Sequence, residues 1–114
     1  MSLPDLLLAL TRIPGVRGAL VVSADDGLAV ADALMEGVDG RAVAALTASL
    51  AARMRGVTGA LGQPTPALVH LQGTEGGFMA AYARAGLLVV AVTAPDVNAG
   101  EVRLGLLSVV EQAA

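Results

Sequence analysis

The residues of this sequence that could do chemistry are few and scattered. The chain has one histidine, His70, and neither cysteine nor lysine. Without lysine it cannot contain a Walker A phosphate-binding loop or a lysine that forms a Schiff base with a substrate. A Ser–His–Asp triad or a metal site would have to use His70, and no ligand spacing around that residue supports either. We therefore predict no catalytic residue, no metal site and no cofactor.

Two glycine-containing segments resemble ligand loops but are better explained as turns. Residues 25–27 (Asp-Asp-Gly) lie between two predicted strands, and aspartate favours turns because its carboxylate bonds the nearby backbone. A partner-binding loop is the alternative interpretation of this segment. Residues 73–77 contain three glycines, but they precede a strand, whereas a phosphate-binding loop precedes a helix N-terminus. Both segments are therefore predicted to be turns.

The basic residues also argue against one class of partner. All seven are arginine, they are dispersed along the chain, and the net charge is −3. Nucleic-acid binding favours a basic stripe or several stacking aromatic rings, and this sequence has neither. Solvated charge is the simplest interpretation of the arginines, although an arginine fork can also grip a carboxylate or phosphate of a protein partner. The arginines considered as partner contacts are Arg53, Arg55 and Arg84.

The apolar content predicts self-association or a partner. Hydrophobic residues make up 55% of the 114 residues, and the mean hydropathy is +0.72. A single domain of this size has too much surface to bury that much apolar area alone. The longest apolar run, residues 85–94, is about half the roughly 20 residues that cross a bilayer. We expect one domain over residues 1–114, no signal peptide, no membrane insertion and a cytoplasmic location.

The hydrophobic pattern predicts eight elements in the order α-β-β-α-β-β-β-α. Ser2, Pro4 and Asp5 are typical of a helix start, and residues 14–15 (Pro-Gly) end that helix. A last helix begins at Asn98 and has one apolar face. The predicted strands are residues 18–23, 28–33, 67–72, 78–84 and 87–93.

The alternation within two strands predicts their places in the sheet. Residues 87–93 are apolar on both alternating sets, which indicates a central strand covered on both faces. In residues 67–72, Val69 and Leu71 alternate with polar residues, which indicates a half-exposed edge strand.

The long helix over residues 39–61 has two distinct stripes. Asp39 caps it, and its length is about 35 Å at 1.5 Å per residue. One stripe has the three-and-four spacing of a buried face, and a second stripe consists of small residues that allow close backbone approach. We expect one face to pack on the sheet and another on a different surface. The apolar stripe is Val43, Leu46, Leu50, Met54, Val57 and Leu61, and the small stripe is Ala44, Ala48, Ala51 and Ala52.

With this order of elements, the sequence resembles the Roadblock/LC7 family. The resemblance lies in residues 13–18 (Ile-Pro-Gly-Val-Arg-Gly), 19–23, 26–28 and 87–92, and in the helix from Asn98. It implies an α+β fold, an α/β sandwich with a five-stranded antiparallel sheet. The long helix is then expected on one face of the sheet and the terminal helices on the other.

The resemblance also implies how such a chain acts. Family members typically dimerise through their long helices and third strands, and prokaryotic members often bind a small Ras-like GTPase of the MglA type without contributing a catalytic residue. A non-catalytic homodimeric regulator or subunit is thus implied; a structural dimerisation module and a small-ligand sensor are the alternatives. The implied interface residues are Val43, Ala44, Leu46, Thr47, Leu50, Ala51, Met54, Val57, Leu68, Val69 and His70.

Overall fold

The structure is a computed structural model that describes residues 2–112. Within that range the elements follow the predicted order, with one additional short 3-10 turn between the last two strands. The helices are α1 (Leu3–Thr11), α2 (Gly40–Ala60) and α3 (Ala99–Gln112). The strands are β1 (Val16–Ser23), β2 (Ala29–Leu34), β3 (Leu68–Gly73), β4 (Gly76–Tyr82) and β5 (Leu87–Thr93).

The strands form one antiparallel sheet in the order β2-β1-β5-β4-β3. β5 lies at the centre between β1 and β4, and residues 88–91 are completely buried. The prediction of a central last strand is therefore confirmed. β3 lies at one edge of the sheet and β2 at the other. The edge position predicted for the third strand is also confirmed.

The helices cover the two faces of the sheet. Because neighbouring strand residues point to opposite faces, Leu20 and Val90 pack in the cluster beneath α2. Val21 and Val89 pack in the cluster formed with α1 and α3. The architecture is the predicted α+β sandwich, with the long helix on one face and the terminal helices on the other.

Side-chain caps fix the starts of two helices as predicted. The Asp5 amide donates to the Ser2 hydroxyl oxygen over 3.3 Å, and the Ser2 hydroxyl donates to the Asp5 carboxylate over 2.8 Å. That second bond lowers the pKa of Asp5. At the start of α2, the Asp39 carboxylate accepts a hydrogen bond of 3.1 Å from the Ala42 amide. The bonds donated by the Asp5 and Ala42 amides each satisfy a backbone group that the helix leaves unpaired.

Three strand boundaries differ from the prediction by two residues, namely the start of β1 and both ends of β4. β1 begins at Val16 because it already pairs there with Thr93 of β5. β4 ends at Tyr82 because the Ala83 amide donates to the Leu87 carbonyl oxygen over 2.8 Å and closes the turn. Arg84 therefore lies in the turn between β4 and β5 and not at the end of a strand.

Candidate interaction surface

α2 packs on its own sheet through small side chains. Ala44, Thr47, Ala48 and Ala51 are each at least 94% buried, and they line the side of the helix that meets the sheet. Small side chains bring the helix backbone close to the strands. Three of the predicted interface residues, Ala44, Thr47 and Ala51, are thus covered by the chain's own sheet.

The apolar stripe of α2 faces away from that contact. Leu46 is 71% exposed, Val57 51% and Leu61 68%. Val43, Leu50 and Met54 are half-buried. The expectation that α2 has one face on its sheet and one turned away from it is confirmed. Ala44, Ala48 and Ala51 of the small stripe face the sheet, whereas Ala52 is exposed. The apolar stripe, despite the spacing of a buried face, lies mostly outside.

An open apolar groove separates this stripe from the edge of the sheet. Its volume is about 380 Å³. Phe78 and Val92 of the sheet form part of its floor. Among the lining residues, Thr47 is the one with a polar side chain. The residues that line it are Val43, Leu46, Thr47, Leu50, Leu71, Gly77, Phe78 and Val92. We call this the apolar groove.

The groove opens toward β3, and β3 has an unprotected edge. Proteins usually protect sheet edges with charged side chains, prolines or β-bulges, because an unpaired edge invites another strand. β2 has two such devices, since Asp32 lies in the strand and a bulge occurs opposite Val21 and Val22. The six residues of β3 are Leu-Val-His-Leu-Gln-Gly and pair with β4 in a regular register. Of the two edges, β3 is the one suited to accept a strand.

α2 extends beyond the sheet after Ala51. None of residues 52–60 is fully buried, and only Met54 and Thr58 are half-buried, so about 13 Å of helix projects past its last buried turn. Where the buried residues of the helix end, a hydrogen bond of 3.0 Å from the Tyr82 hydroxyl to the Ala51 carbonyl oxygen anchors it to β4. The apolar stripe continues along the projecting part through Met54, Val57 and Leu61.

A family model described as the Roadblock/LC7 domain matches residues 3–93. The chain belongs to the Roadblock/LC7 family. No curated protein matches its sequence. The resemblance seen in the sequence is thereby confirmed over most of the chain.

Solved structures share the fold at low sequence identity. MglB from Myxococcus xanthus superposes with a TM-score of 0.88 at 18% identity, over 97% of this chain and 90% of that one. A Roadblock/LC7 domain from Streptomyces avermitilis gives 0.89 at 18% identity, over 99% and 95%. A structure titled MglB with tetrameric arrangement gives 0.81 at 24% identity, over 98% and 90%. At these identities the likeness shows the Roadblock/LC7 fold.

The three arginines singled out in this Roadblock/LC7 chain lie at or near one end of the sheet. Arg53 and Arg55 are in the projecting part of α2, and Arg84 is in the β4–β5 turn. Arg55 is close enough to Tyr82 for its charge to lower the pKa of that phenol, although burial has the larger, opposite effect. The sequence did not indicate that Arg55 and Tyr82 would be neighbours, since 27 positions separate them. All three arginines are exposed.

The Asp-Asp-Gly segment forms the predicted turn at the same end. The Asp26 carboxylate accepts a hydrogen bond of 3.1 Å from the Leu28 amide, and Gly27 has a φ of +71°. The Ala24 amide donates to the Gly86 carbonyl oxygen over 2.8 Å, which joins this turn to the β4–β5 turn. Both carboxylates of the segment are exposed, and that of Asp26 stabilises the turn itself.

The remaining predictions of the sequence concern absences. Within residues 2–112, no group of three or more histidine, cysteine or acidic side chains could hold a metal ion. No helix in that part of the chain is long and apolar enough to cross a bilayer.

Proposed function

We propose that this chain is a non-catalytic homodimeric regulator that binds a small Ras-like GTPase of the MglA type. The observation that carries the proposal is one continuous, unpaired apolar surface. It consists of the exposed stripe of α2, the apolar groove and the open edge of β3. A surface of this kind on a small domain marks a protein–protein contact.

A second copy of the chain is the occupant proposed for this surface. Two β3 edges can pair to continue the sheet, and two α2 helices can then meet over the apolar grooves beside that junction. Exposed interface residues Leu46, Val57 and His70 would be covered in such a dimer. Ala44, Thr47 and Ala51 would support it from below by holding α2 on its own sheet. Leu68 and Val69, both half-buried in one chain, would lie at the junction itself.

The groove favours a protein occupant over a small ligand. Ligand pockets combine apolar walls with a few convergent polar groups that fix the orientation of the ligand. Only Thr47 contributes a polar side chain to this groove, and it is 97% buried. Leucine and valine side chains from a second α2 would fill such a groove without unsatisfied polar groups.

The GTPase part of the proposal rests on the family and on the likeness to MglB. The chain lacks the lysine of a P-loop, so it would act on a GTPase and would not be one. Regulation would then consist of stabilising one conformation of the partner. Arg53, Arg55 and Arg84 are exposed at one end of the molecule, beside the exposed Asp25 and Asp26, and we propose these arginines as the contacts to such a partner.

Titration calorimetry with the Ras-like GTPase from the same cell tests the proposal. We expect tighter binding when the GTPase carries a non-hydrolysable GTP analogue than when it carries GDP. The variant Arg53→Glu tests whether the projecting part of α2 contacts the GTPase. Leu104→Glu, which also introduces a glutamate but on α3, is the control for this variant. Absence of binding in both nucleotide states would contradict the GTPase role and favour a structural dimerisation module.

A further inference from the structure

The hydrogen bonds of β3 define which of its residues can bond a neighbouring strand. The Tyr82 amide donates to the Ala67 carbonyl oxygen over 3.2 Å, and β3 pairs with β4 in a regular antiparallel register. In such a ladder, every second residue turns its N–H and C=O toward the partner strand. Counting from Ala67, Val69 and Leu71 face β4. The groups of Leu68, His70 and Gln72 therefore face the open edge.

This alternation restricts how two β3 strands can pair. In a symmetric antiparallel pair, an outward-facing residue must lie opposite another outward-facing residue. Placing His70 opposite the His70 of a second copy pairs all three outward-facing residues and forms about six ladder hydrogen bonds. Shifting the register by two residues leaves only two such pairs and about four bonds. The register with most hydrogen bonds has the two-fold axis at His70.

The same register is consistent with the two faces of the sheet. His70 lies opposite Met79, and Met79 belongs to the cluster beneath α1 and α3. Two His70 side chains would therefore lie side by side on that face. On the other face, Val69 would lie opposite Leu71 of the second copy, between the two apolar grooves. The apolar pairs would thus lie beneath the α2 helices, and the two imidazoles would lie on the opposite face of the sheet.

We infer that the homodimer has its two-fold axis at His70 and that protonation of the paired imidazoles weakens it. This inference rests on the proposed homodimer. Residues directly opposite each other in a hydrogen-bonded pair have Cα atoms about 5.5 Å apart. Two positive charges at that distance repel each other, whereas two neutral imidazoles do not. Even in a register shifted by two residues, the pair would be diagonal neighbours about 7–8 Å apart.

The surroundings offer little to neutralise that pair. Its neighbours on the same face of the sheet are Leu68, Gln72 and Met79, all without charge. α3 packs on this face and carries Glu101, Arg103 and Glu111, which are exposed to solvent. Glu75 is exposed in the β3–β4 turn. These charged side chains are of both signs and all face solvent, and none of them lies next to His70 in the sheet, so we expect the repulsion between the imidazoles to be felt at the junction.

The size of the effect follows from Coulomb's law. The two charged imidazoles would be about 5–8 Å apart, and the effective dielectric constant between them lies between that of a protein surface and that of water. Their repulsion would weaken dimer association by roughly 3- to 100-fold. The effect has a definite sign, since histidine is ordinarily neutral at pH 8 and charged at pH 5.5. The dimer should therefore be tighter at the higher pH. Added salt should reduce the difference by screening the charges.

Sedimentation equilibrium of the full chain at pH 8 and pH 5.5 tests the inference. We expect the dimer dissociation constant to rise at least 3-fold at the lower pH. In His70→Gln, which keeps a polar side chain without a titratable charge, the constant should change much less. An equal rise in His70→Gln, or no rise in the wild type, would overturn the inference while leaving the dimer intact. A wild-type monomer at both pH values would instead overturn the proposed homodimer.

The absence of cysteine from the chain allows a second, independent test of the axis. Single cysteines at Val69, His70 and Leu71 would lie at different distances from the same residue of the second copy, and a disulfide needs Cα atoms about 4.4–6.8 Å apart. Cross-linking that is most efficient in His70→Cys supports the axis at that residue. Cross-linking that is most efficient at Val69 or Leu71 would overturn it. Asp32→Cys on the opposite edge is the control.

Discussion

The Tyr82 hydroxyl donates a hydrogen bond to the Ala51 carbonyl oxygen at the point where α2 leaves the sheet, and the two oxygens are 3.0 Å apart. This bond joins the end of β4 to the last buried turn of the helix. Beyond it, α2 has no buried residue as far as Leu61. The bond therefore fixes the direction in which the projecting, apolar part of the helix leaves the domain.

Removing this bond should loosen the helix without disturbing the sheet. Tyr82→Phe keeps the ring and deletes the hydroxyl, so we expect a loss of about 1 kcal/mol in the free energy of unfolding. Urea denaturation measures the loss, and proteolysis near Arg53 and Arg55 should be faster in the variant. Phe78→Leu, which alters the groove floor without touching this bond, is the control for the proteolysis. Unchanged stability and cleavage would contradict the anchoring role.

The same tyrosine gives a prediction for alkaline pH. Burial raises the pKa of Tyr82 above its ordinary value of 10.0, and the charge of Arg55 offsets this only in part. The folded state therefore holds the phenolic proton more tightly than the unfolded state, and this stabilisation is lost as the pH rises above about 10. Tyr82 is the chain's one tyrosine. Its absorbance titration should have a midpoint above 10 in the folded protein and near 10 in urea.

A charge in the apolar groove should prevent self-association. Leu50 lines the groove and is half-buried in one chain. In a dimer, Leu50→Glu would place an unpaired carboxylate in an apolar contact, which costs several kcal/mol of association free energy. Analytical ultracentrifugation should show a monomer or an aggregate. Leu104→Glu is the matched control, because Leu104 is 71% exposed on α3, away from the groove. A dimer constant unchanged in Leu50→Glu, with the control also unchanged, would exclude the groove from the interface.

Proline substitutions should separate the free edge of β3 from its paired edge. Proline lacks an N–H and is tolerated in a strand only where that group would face solvent. The Val69 amide faces β4, so Val69→Pro should lower the free energy of unfolding of the monomer. The His70 amide faces outward, so His70→Pro should weaken the dimer far more than it destabilises the fold. Circular dichroism with ultracentrifugation distinguishes them, and equal effects would contradict the alternation derived for β3.

The sequence determined the elements of this fold better than it determined their contacts. The cap at Asp39 and the apolar residues of β5 were sufficient to predict the long helix and the central strand. Both stripes of α2 have helical spacing, however, and spacing alone does not indicate which one meets the sheet. That choice depends on how closely the backbones approach, and the alanines permit the closer approach. The proximity of Arg55 to Tyr82 likewise depends on where α2 crosses the sheet, which no local pattern encodes.

Two glycines should respond in opposite ways to the same substitution. Gly56 lies in the projecting part of α2, and a Cβ there would have no neighbour within 4 Å. Gly56→Ala should therefore stabilise the helix by about 0.5–1 kcal/mol, because glycine loses more backbone entropy on folding. At Gly77 in β4, a Cβ would overlap the Leu71 carbonyl oxygen, which belongs to the backbone of β3 and cannot rotate away. Gly77→Ala should separate these two strands, lower the free energy of unfolding by about 1–3 kcal/mol and weaken any dimer that uses the β3 edge. Thermal denaturation with ultracentrifugation compares the two variants, and a Gly77→Ala protein as stable as the wild type would show that β3 is not held against β4 in this register.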